Sequence, residues 1–357
     1  MGKLLPFEIN AIRTVAMYAE KSSDQDKETV KNILSSISYD FTDIGFLENQ
    51  LLLNRGVTLN FHPDRYSNNG KLIIHNLVEQ GIYHSQFVTG VTNGGKTAYP
   101  GGERDEWEKD LFSGSYHAAD TTISNRPKYG ALNIFNYLDG ASSRFGSCFF
   151  VLNQNVMDRC TFAFGDSSTN PEALGTRDVF HPILRALLTD AQKTGRFLNK
   201  RGYDVKKVVD YILSIKKEEL KEVGRNLDYC IEAHIHGEID LLNDVDSLFA
   251  DESFRNTNIY GMLAELTDRY NISLFWIPAR EVLAKGITDE FRGPAIPAVA
   301  KRIASELGGN AAFIDAALIG KASQFTFLNP GVWSDIGSEH EIFQYLKQLW
   351  HTVAYFG

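Results

Sequence analysis

Residues 229–238 read Tyr-Cys-Ile-Glu-Ala-His-Ile-His-Gly-Glu, and this stretch carries the strongest signal for both fold and chemistry. Apolar and polar residues alternate along it, which predicts a β-strand because successive side chains of a strand point to opposite faces. The side chains that then share one face, with Cys230 leading the row, are Glu232, His234, His236 and Glu238. A face this polar indicates a functional site, since carboxylates and imidazoles supply acid/base groups, metal ligands, or a charge that steadies a developing cation.

The pattern of the remaining chain predicts an α+β protein with its sheet in the middle. Helical spacing of apolar residues predicts two N-terminal helices between Ile9 and Ile37, then helices at 71–79, 181–198 and 205–223. Strands are predicted at 56–61, 85–92, 130–135, 145–152 and 160–164. The chain after Asp244 is predicted to be mostly helical, apart from one short apolar run at 272–277. We divide the chain into an N-terminal helical cap (1–50), a catalytic core (51–250) and a mainly helical C-terminal region (251–357).

Glycines interrupt the polar stretch between the predicted strand 85–92 and Tyr129. It begins with an Asn93-Gly94-Gly95 turn and continues through Gly101 and Gly102. A loop of this length inside a compact domain more often has a function than not. No phosphate-cradling G-x-G-x-x-G or G-x-x-x-x-G-K-[ST] motif is present.

Composition limits the partners and the cellular compartment. With 357 residues, 43% of them hydrophobic, the chain can bury a substantial core. A formal net charge of -9 argues against broad binding to nucleic acid or anionic membranes, because both demand a surplus of Lys and Arg. Three cysteines and no signal-like or membrane-spanning apolar stretch predict a soluble protein, cytoplasmic where it is made. Export by a system that needs no N-terminal signal stays open.

Two further stretches of the sequence carry candidate binding residues. The first is His62-Pro63-Asp64-Arg65 at a predicted strand exit, where an imidazole and a guanidinium suit a phosphate or pyrophosphate. The second runs from Ser85 to Thr89, whose hydroxyls can hydrogen-bond a ribose or an amide. A surface turn with an internal ion pair explains the first pattern equally well, and a solvated strand explains the second.

The paired histidines leave three interpretations open. His234 and His236 can both face one cation, and Glu238 or His62 can complete a zinc or iron site. Alternatively the imidazoles only orient Glu232 or a substrate. In the third interpretation they are structural residues on a half-exposed strand.

Five blocks of the sequence resemble those of a mainly bacterial family catalogued as a domain of unknown function. The blocks lie within about 57–296 and cover residues 58–65, 85–90, 126–133, 144–147 and 232–237. Their order is also similar to that of the ADP-ribosyltransferases, which split NAD+ and pass ADP-ribose to an acceptor.

The second resemblance implies an ADP-ribosyltransferase-like split, mostly antiparallel sheet with helical additions at both ends of the chain. It implies that Glu232 is the catalytic carboxylate and that no metal is needed. The residues it implies for NAD+ binding are His62, Arg65, Ser85, Thr89 and Tyr129. Two features depart from the pattern: no plain Ser-Thr-Ser follows the first strand, and position 230 is Cys where toxins of this type carry Glu or Gln.

The chemistry of NAD+ cleavage fits these residue types. The transition state is oxocarbenium-like, so the site needs one fixed carboxylate near the ribose and donors on the pyrophosphate. Tyr129 or Phe145 can stack on nicotinamide. The sequence therefore predicts an NAD+-dependent mono-ADP-ribosyltransferase or NAD+ glycohydrolase, an effector if a pathogen or symbiont secretes it. The acceptor, a protein, a nucleotide or water, is left open. The alternatives are a metal-dependent hydrolase or oxygenase built on His234 and His236, and a non-catalytic module that binds a nucleotide or partner.

Overall fold

The computed structural model describes residues 4–39, 44–53, 56–91, 98–214, 221–309 and 312–357. The helices, numbered in chain order, are α1 (Pro6–Glu20), α2 (Ser23–Ser36), α3 (Ile44–Leu53), α4 (Ile73–Gln80), α5 (Gln86–Thr89), α6 (Glu103–Leu111), α7 (His181–Thr194), α8 (Val205–Leu213), α9 (Leu241–Asp244), α10 (Asn258–Arg269), α11 (Ile296–Glu306), α12 (Ala316–Leu328) and α13 (Glu339–Phe356). The strands are β1 (Val57–Phe61), β2 (Ile82–Tyr83), β3 (Lys128–Leu132), β4 (Cys148–Leu152), β5 (Cys160–Phe164), β6 (Leu174–Thr176), β7 (Arg196–Phe197), β8 (Lys200–Arg201), β9 (Ile231–Ile235), β10 (Ile239–Asp240), β11 (Val245–Asp251), β12 (Ser273–Ile277), β13 (Glu281–Leu283) and β14 (Phe313–Asp315).

Eight of these strands form one sheet in the order β12-β11-β4-β1-β3-β9-β5-β6. Every neighbouring pair is antiparallel except β11 and β12, which run parallel. The predicted mixed α/β chain with a mostly antiparallel sheet is therefore confirmed. Its likeness to the ADP-ribosyltransferase fold stays a prediction.

One face of the sheet is apolar because alternate residues of each strand point into the main core. Leu59 of β1, Phe150 of β4 and Leu248 of β11 lie in register on this face and are fully buried. Helical residues such as Leu184 and Leu263 belong to the same core cluster. Burial of this face fixes the register, since a slip of one residue would turn its side chains to the other face.

The opposite face carries polar side chains where β3, β9 and β5 lie side by side. Tyr129 of β3 and Thr161 of β5 both pair with His234 of β9, so the three residues lie side by side. The predicted strand at 229–238 is confirmed as β9. Gly237 then takes a φ of 77°, which ends the extended backbone, and Glu238 is exposed. The row of buried polar residues therefore stops at His236.

The predicted strand at 85–92 is wrong. Residues Gln86–Thr89 form the single helical turn α5, and the N–H of Gly90 donates to the carbonyl of Gln86. Gly90 has a φ of 65°, the left-handed conformation that ends helices at low cost for glycine. One turn is too short for a 3.6-residue period to show in the sequence. Residue 92 and the Asn93-Gly94-Gly95 turn lie outside the described residues.

The predicted loop up to Tyr129 contains the helix α6. Its first turn is acidic, with Glu103, Asp105 and Glu106, which favours the positive end of a helix dipole. Few apolar residues occur in α6, so no hydrophobic period marked it. This correction matters because α6 supplies side chains to the candidate site.

The mostly helical prediction after Asp244 is wrong at β11, while the apolar run at 272–277 that stood apart from it forms β12; the two strands complete one side of the sheet. β11 is an inner strand, and both of its faces are covered in part, so its sequence lacks a clean alternation. The helix predicted at 205–223 is present as α8 up to Leu213, and residues 215–220 lie outside the described part of the chain.

Both ends of the chain pack on the polar face of the sheet. Phe7 of α1 joins a small second core with Phe112 and Tyr116. Trp350 of α13 is buried and donates its Nε1 hydrogen to the carbonyl of Ser143, at 2.9 Å. Within the described segments, no helix is both long and apolar enough to cross a bilayer.

Candidate active site

A cleft opens where the polar face of the sheet meets α4, β2 and α5. We call it the Glu232 cleft, and its polar and aromatic lining comprises Asn60, Phe61, His62, Asn76, Tyr83, His84, Gln86, Thr89, Arg104, Tyr129, Phe145, Asp166 and Glu232. The cavity volume of the cleft is about 80 Å³.

The structure brings together some of the residues that the sequence analysis selected. Glu232, His62, Thr89 and Tyr129 all line the cleft, although four different elements or their ends supply them. Ser85 does not line it, because its buried hydroxyl donates to the carbonyl of Ile123 at 3.0 Å. We assign Ser85 a structural role at the start of α5.

Arg65 also lies outside the cleft lining. Its guanidinium donates to Asp64 Oδ1 at 2.8 Å, and both side chains are buried. The alternative of an internal Asp64–Arg65 ion pair is thus present in the structure, but in the interior and not on a surface turn. Arg65 instead lines two cavities beyond His62.

Glu232 is tethered through one carboxylate oxygen. Oε1 lies 3.2 Å from the backbone N–H of Ser167, which donates to it, and 2.9 Å from Nε2 of His234. Among the described residues, Oε2 has no hydrogen-bond partner. The side chain is fixed in place while one oxygen stays available to a ligand in the cleft.

A chain of buried hydrogen bonds continues from Glu232 away from the cleft. His234 Nδ1 lies 3.0 Å from Thr161 Oγ1, which lies 3.0 Å from His236 Nε2. His236 Nδ1 in turn lies 2.6 Å from the hydroxyl of Tyr116. All five side chains are at most 5% exposed, so water does not compete for these bonds.

The direction of these bonds follows from the carboxylate. An ionised Glu232 only accepts, so His234 donates to it through Nε2. With its Nε2 hydrogen donated to Glu232, His234 accepts at Nδ1 from the Thr161 hydroxyl, and Thr161 accepts from His236 Nε2. Burial lowers the pKa of His236 well below its usual value, so this ring is neutral and accepts at Nδ1 from Tyr116. The imidazoles therefore orient the carboxylate.

This arrangement leaves the paired histidines no nitrogen for a metal. Both ring nitrogens of His234 and both of His236 are within hydrogen-bonding distance of protein atoms. Across the described ranges, no three His, Cys, Asp or Glu side chains are placed to hold one metal ion. The metal-dependent interpretation has no support in this geometry.

His62 faces the cleft as a neutral ring. Burial, followed by the charges of Arg65 and His351, lowers its pKa well below the usual value. Its Nδ1 lies 3.3 Å from Ser147 Oγ, and its ring meets the edge of Trp350 at a centroid distance of 5.2 Å. His62 can hydrogen-bond a phosphate oxygen but does not attract it by charge.

Arg104 is a cleft residue that the sequence analysis missed. Its guanidinium lies 4.5 Å from the centroid of the Tyr129 ring, and its buried Nε has no hydrogen-bond partner among the residues that the structure describes. In the described part of the chain, no carboxylate comes within salt-bridge distance of Arg104, which makes it the cation of the cleft best placed to hold an anionic group. Nothing in the local sequence separates Arg104 from the charged residues beside it on α6.

Glu108, also on α6, holds Tyr129 in place. Its Oε1 accepts from the Tyr129 hydroxyl at 3.0 Å, and its Oε2 accepts from Arg126 at 2.9 Å. Burial raises the pKa of Glu108 to about 7, although Arg126 opposes this shift. Burial and Glu108 also raise the pKa of Tyr129 well above its usual value, so the cleft presents a neutral phenol ring.

Comparison with known proteins identifies one family. The sequence model of a family described as "Protein of unknown function (DUF3626)" matches residues 56–356. The match covers all the cleft residues and α13. No curated protein matches the chain.

Proposed function

The chain belongs to the DUF3626 family, whose description assigns no activity, and we propose from the geometry of the cleft that the protein cleaves the nicotinamide–ribose bond of NAD+. ADP-ribose then passes to water or to another acceptor. The observation that carries this proposal is the Glu232 carboxylate, tethered at Oε1 and open at Oε2, in one cleft with Arg104, His62 and Tyr129.

Glu232 supplies the charge that this reaction needs. As the bond from ribose C1′ to the nicotinamide nitrogen breaks, its electron pair leaves with nicotinamide, which changes from a pyridinium to a neutral ring. Positive charge develops on the ribose, and a fixed carboxylate beside it stabilises the transition state more than the substrate. Water or another nucleophile then bonds to C1′ and releases a proton to solvent.

The other cleft residues fit the two ends of the dinucleotide. The rings of Tyr129 and Phe145 offer apolar faces for nicotinamide in the cleft. Arg104 offers the phosphates a charged donor, and the neutral His62 offers them an uncharged hydrogen-bond donor. Gln86 Oε1 is buried and has no hydrogen-bond partner within the described ranges, and it can accept from the carboxamide of nicotinamide.

The test compares nicotinamide release from NAD+ by the wild-type protein and by Glu232→Gln. The substitution keeps the shape and a hydrogen-bond acceptor but removes the charge. We expect release to fall by about 100-fold or more, the scale seen when a group that stabilises developing charge is removed. Glu238→Gln is the matched control, because Glu238 is exposed and six residues further along the same segment; its rate should equal that of the wild type.

Other outcomes identify the alternatives. Equal release by wild type and Glu232→Gln would contradict the proposal. Tight NAD+ binding with no nicotinamide release from either protein would point to a non-catalytic module. Stoichiometric zinc or iron that is lost in His236→Ala would restore the metal-dependent interpretation.

A further inference from the structure

Between the Glu232 cleft and a second pocket lies a small cavity that shares lining residues with both, and we call this cavity the neck. The neck shares His62 and Val91 with the cleft, and it holds only about 10 Å³. It also shares Arg65, Ser323, Phe343 and Leu346 with a pocket of about 350 Å³. We call this second pocket the aromatic pocket; its lining includes Tyr66, Phe327, Val332, Trp333 and Ile342.

The neck is cationic. It is lined by Arg65 and Lys347, and among the described residues Arg65 has Asp64 as its one ion-pair partner and Lys347 has none. Burial, with the charges of Arg144 and Arg292, lowers the pKa of Lys347 to about 8, so the ammonium form still dominates near neutral pH. Two cations against one carboxylate suit an anionic group in the neck.

The aromatic pocket is suited to a planar ring. Tyr66 and Phe327 are stacked with their ring centroids 4.3 Å apart, and Phe327 is 50% exposed although it lines a pocket. Ser323, Thr326 and Asn329 add polar groups to the apolar lining. A volume of about 350 Å³ lies in the range of small-molecule sites, which are mostly apolar with a few polar groups.

We propose that the aromatic pocket binds the adenosine half of the dinucleotide, with Arg65 and Lys347 on the adenosine-side phosphate in the neck, next to the nicotinamide-side phosphate that Arg104 and His62 hold. This inference rests on the proposed NAD+ cleavage for the identity of the ligand. The aromatic pocket, the neck and the Glu232 cleft lie next to one another in this order. The order matches that of adenine, pyrophosphate and nicotinamide riboside in the dinucleotide. Because the neck is narrow, the side chains of Phe343 and Lys347 have to move apart when the ligand enters.

The test measures the affinities of ADP and of nicotinamide mononucleotide by calorimetry for the wild-type protein and for Phe327→Ala. Removing the ring should weaken ADP binding by about 5- to 150-fold, the range expected when a base loses its stacking on an aromatic ring. Binding of nicotinamide mononucleotide, which lacks adenine, should change less than about twofold. Phe275→Ala is the matched control, because Phe275 is 48% exposed on β12, outside the aromatic pocket, and should leave both affinities unchanged.

The neck is tested with Lys347→Met, which keeps the length of the side chain and leaves the buried Arg65–Asp64 pair intact. We expect weaker ADP binding and unchanged binding of adenosine. Equal ADP affinity in wild type and Phe327→Ala, or an equal loss for both nucleotides, would overturn the inference. If ADP binding depends on Phe327 but the protein releases no nicotinamide, the aromatic pocket stands and the proposed reaction fails.

Discussion

At the scale of single residues, Thr161 decides how firmly the catalytic carboxylate is held. Its one hydroxyl bridges His234 and His236, and it lies in a strand with both neighbours buried. The chain of bonds from Tyr116 to Glu232 therefore depends on an oxygen that no other side chain replaces.

Thr161→Val keeps the shape of the side chain but removes this oxygen. Two buried imidazole nitrogens lose their partner, so we expect the free energy of unfolding to fall by about 2–5 kcal/mol. Thr161→Ser keeps the hydroxyl and should cost about 1 kcal/mol or less. Urea unfolding of the two variants checks the difference, and equal stabilities would show that the hydroxyl bonds contribute nothing.

Glu108 makes stability depend on pH. Its pKa is about 7 in the folded protein, against a usual value of 4.5, so the folded state keeps a proton that the unfolded state has lost. The contribution of Glu108 is fully present below about pH 4.5 and is lost as the pH rises toward 7. We expect the stability of the wild type relative to Glu108→Gln to fall across this interval. Unfolding midpoints at pH 4.5 and pH 7.5 measure it, and a difference that does not change with pH contradicts the assignment.

At the scale of elements, β1 and the short turn before β4 are packed so closely that only glycine fits between them. A Cβ at Gly146 would lie 2.1 Å from the backbone of Phe61, the last residue of β1. Phe145, which precedes Gly146, and His62, which follows Phe61, both line the cleft. The cleft therefore depends on the absence of a side chain at position 146.

Gly146→Ala should destabilise the protein by about 3 kcal/mol or more, because backbone atoms on both sides cannot move aside as a flexible side chain would. Gly286→Ala is the control, since its Cβ would come no closer than 3.7 Å to a neighbour. Thermal unfolding of the two variants tests the prediction. A transition of Gly146→Ala at the wild-type temperature would mean that the turn relaxes without cost.

At the scale of the whole molecule, the three predicted regions share one core. The main hydrophobic cluster contains Val30 from the first region, Leu59 from the second and Val353 from the third. The third region also supplies β12 to the sheet and Trp350 to the turn beside the cleft.

We expect a chain that ends at residue 250 to lose cooperative unfolding. Its strand β11 would have no β12 partner, and the helix α10 that buries Leu263 and Leu266 would be missing. Full-length Trp350→Phe is the control, since it loses one buried hydrogen bond and should remain cooperative at a cost of about 1–2 kcal/mol. A sharp urea transition of the shortened chain would establish residues 1–250 as an independent domain.

The sequence alone determined the elements with a strong local period. Helical spacing of apolar residues predicts the two N-terminal helices, α4 and α7, and alternation of apolar and polar residues predicts the strand β9. The same pattern singled out Glu232, because a carboxylate and two histidines on one face of a strand are visible without any knowledge of the neighbours.

Only the tertiary structure decided which residues surround that carboxylate. Arg104 lies in the Glu232 cleft while Ser85 and Arg65 do not, and no local pattern distinguishes these cases. The predictions at α5 and β11 were wrong because neither element has a clear local period. The helix α5 is a single turn, and β11 is an inner strand with buried side chains on both of its faces. Contacts between residues far apart in the chain carry no local period, so they emerge only when the sheet, α6 and α13 are assembled around one cleft.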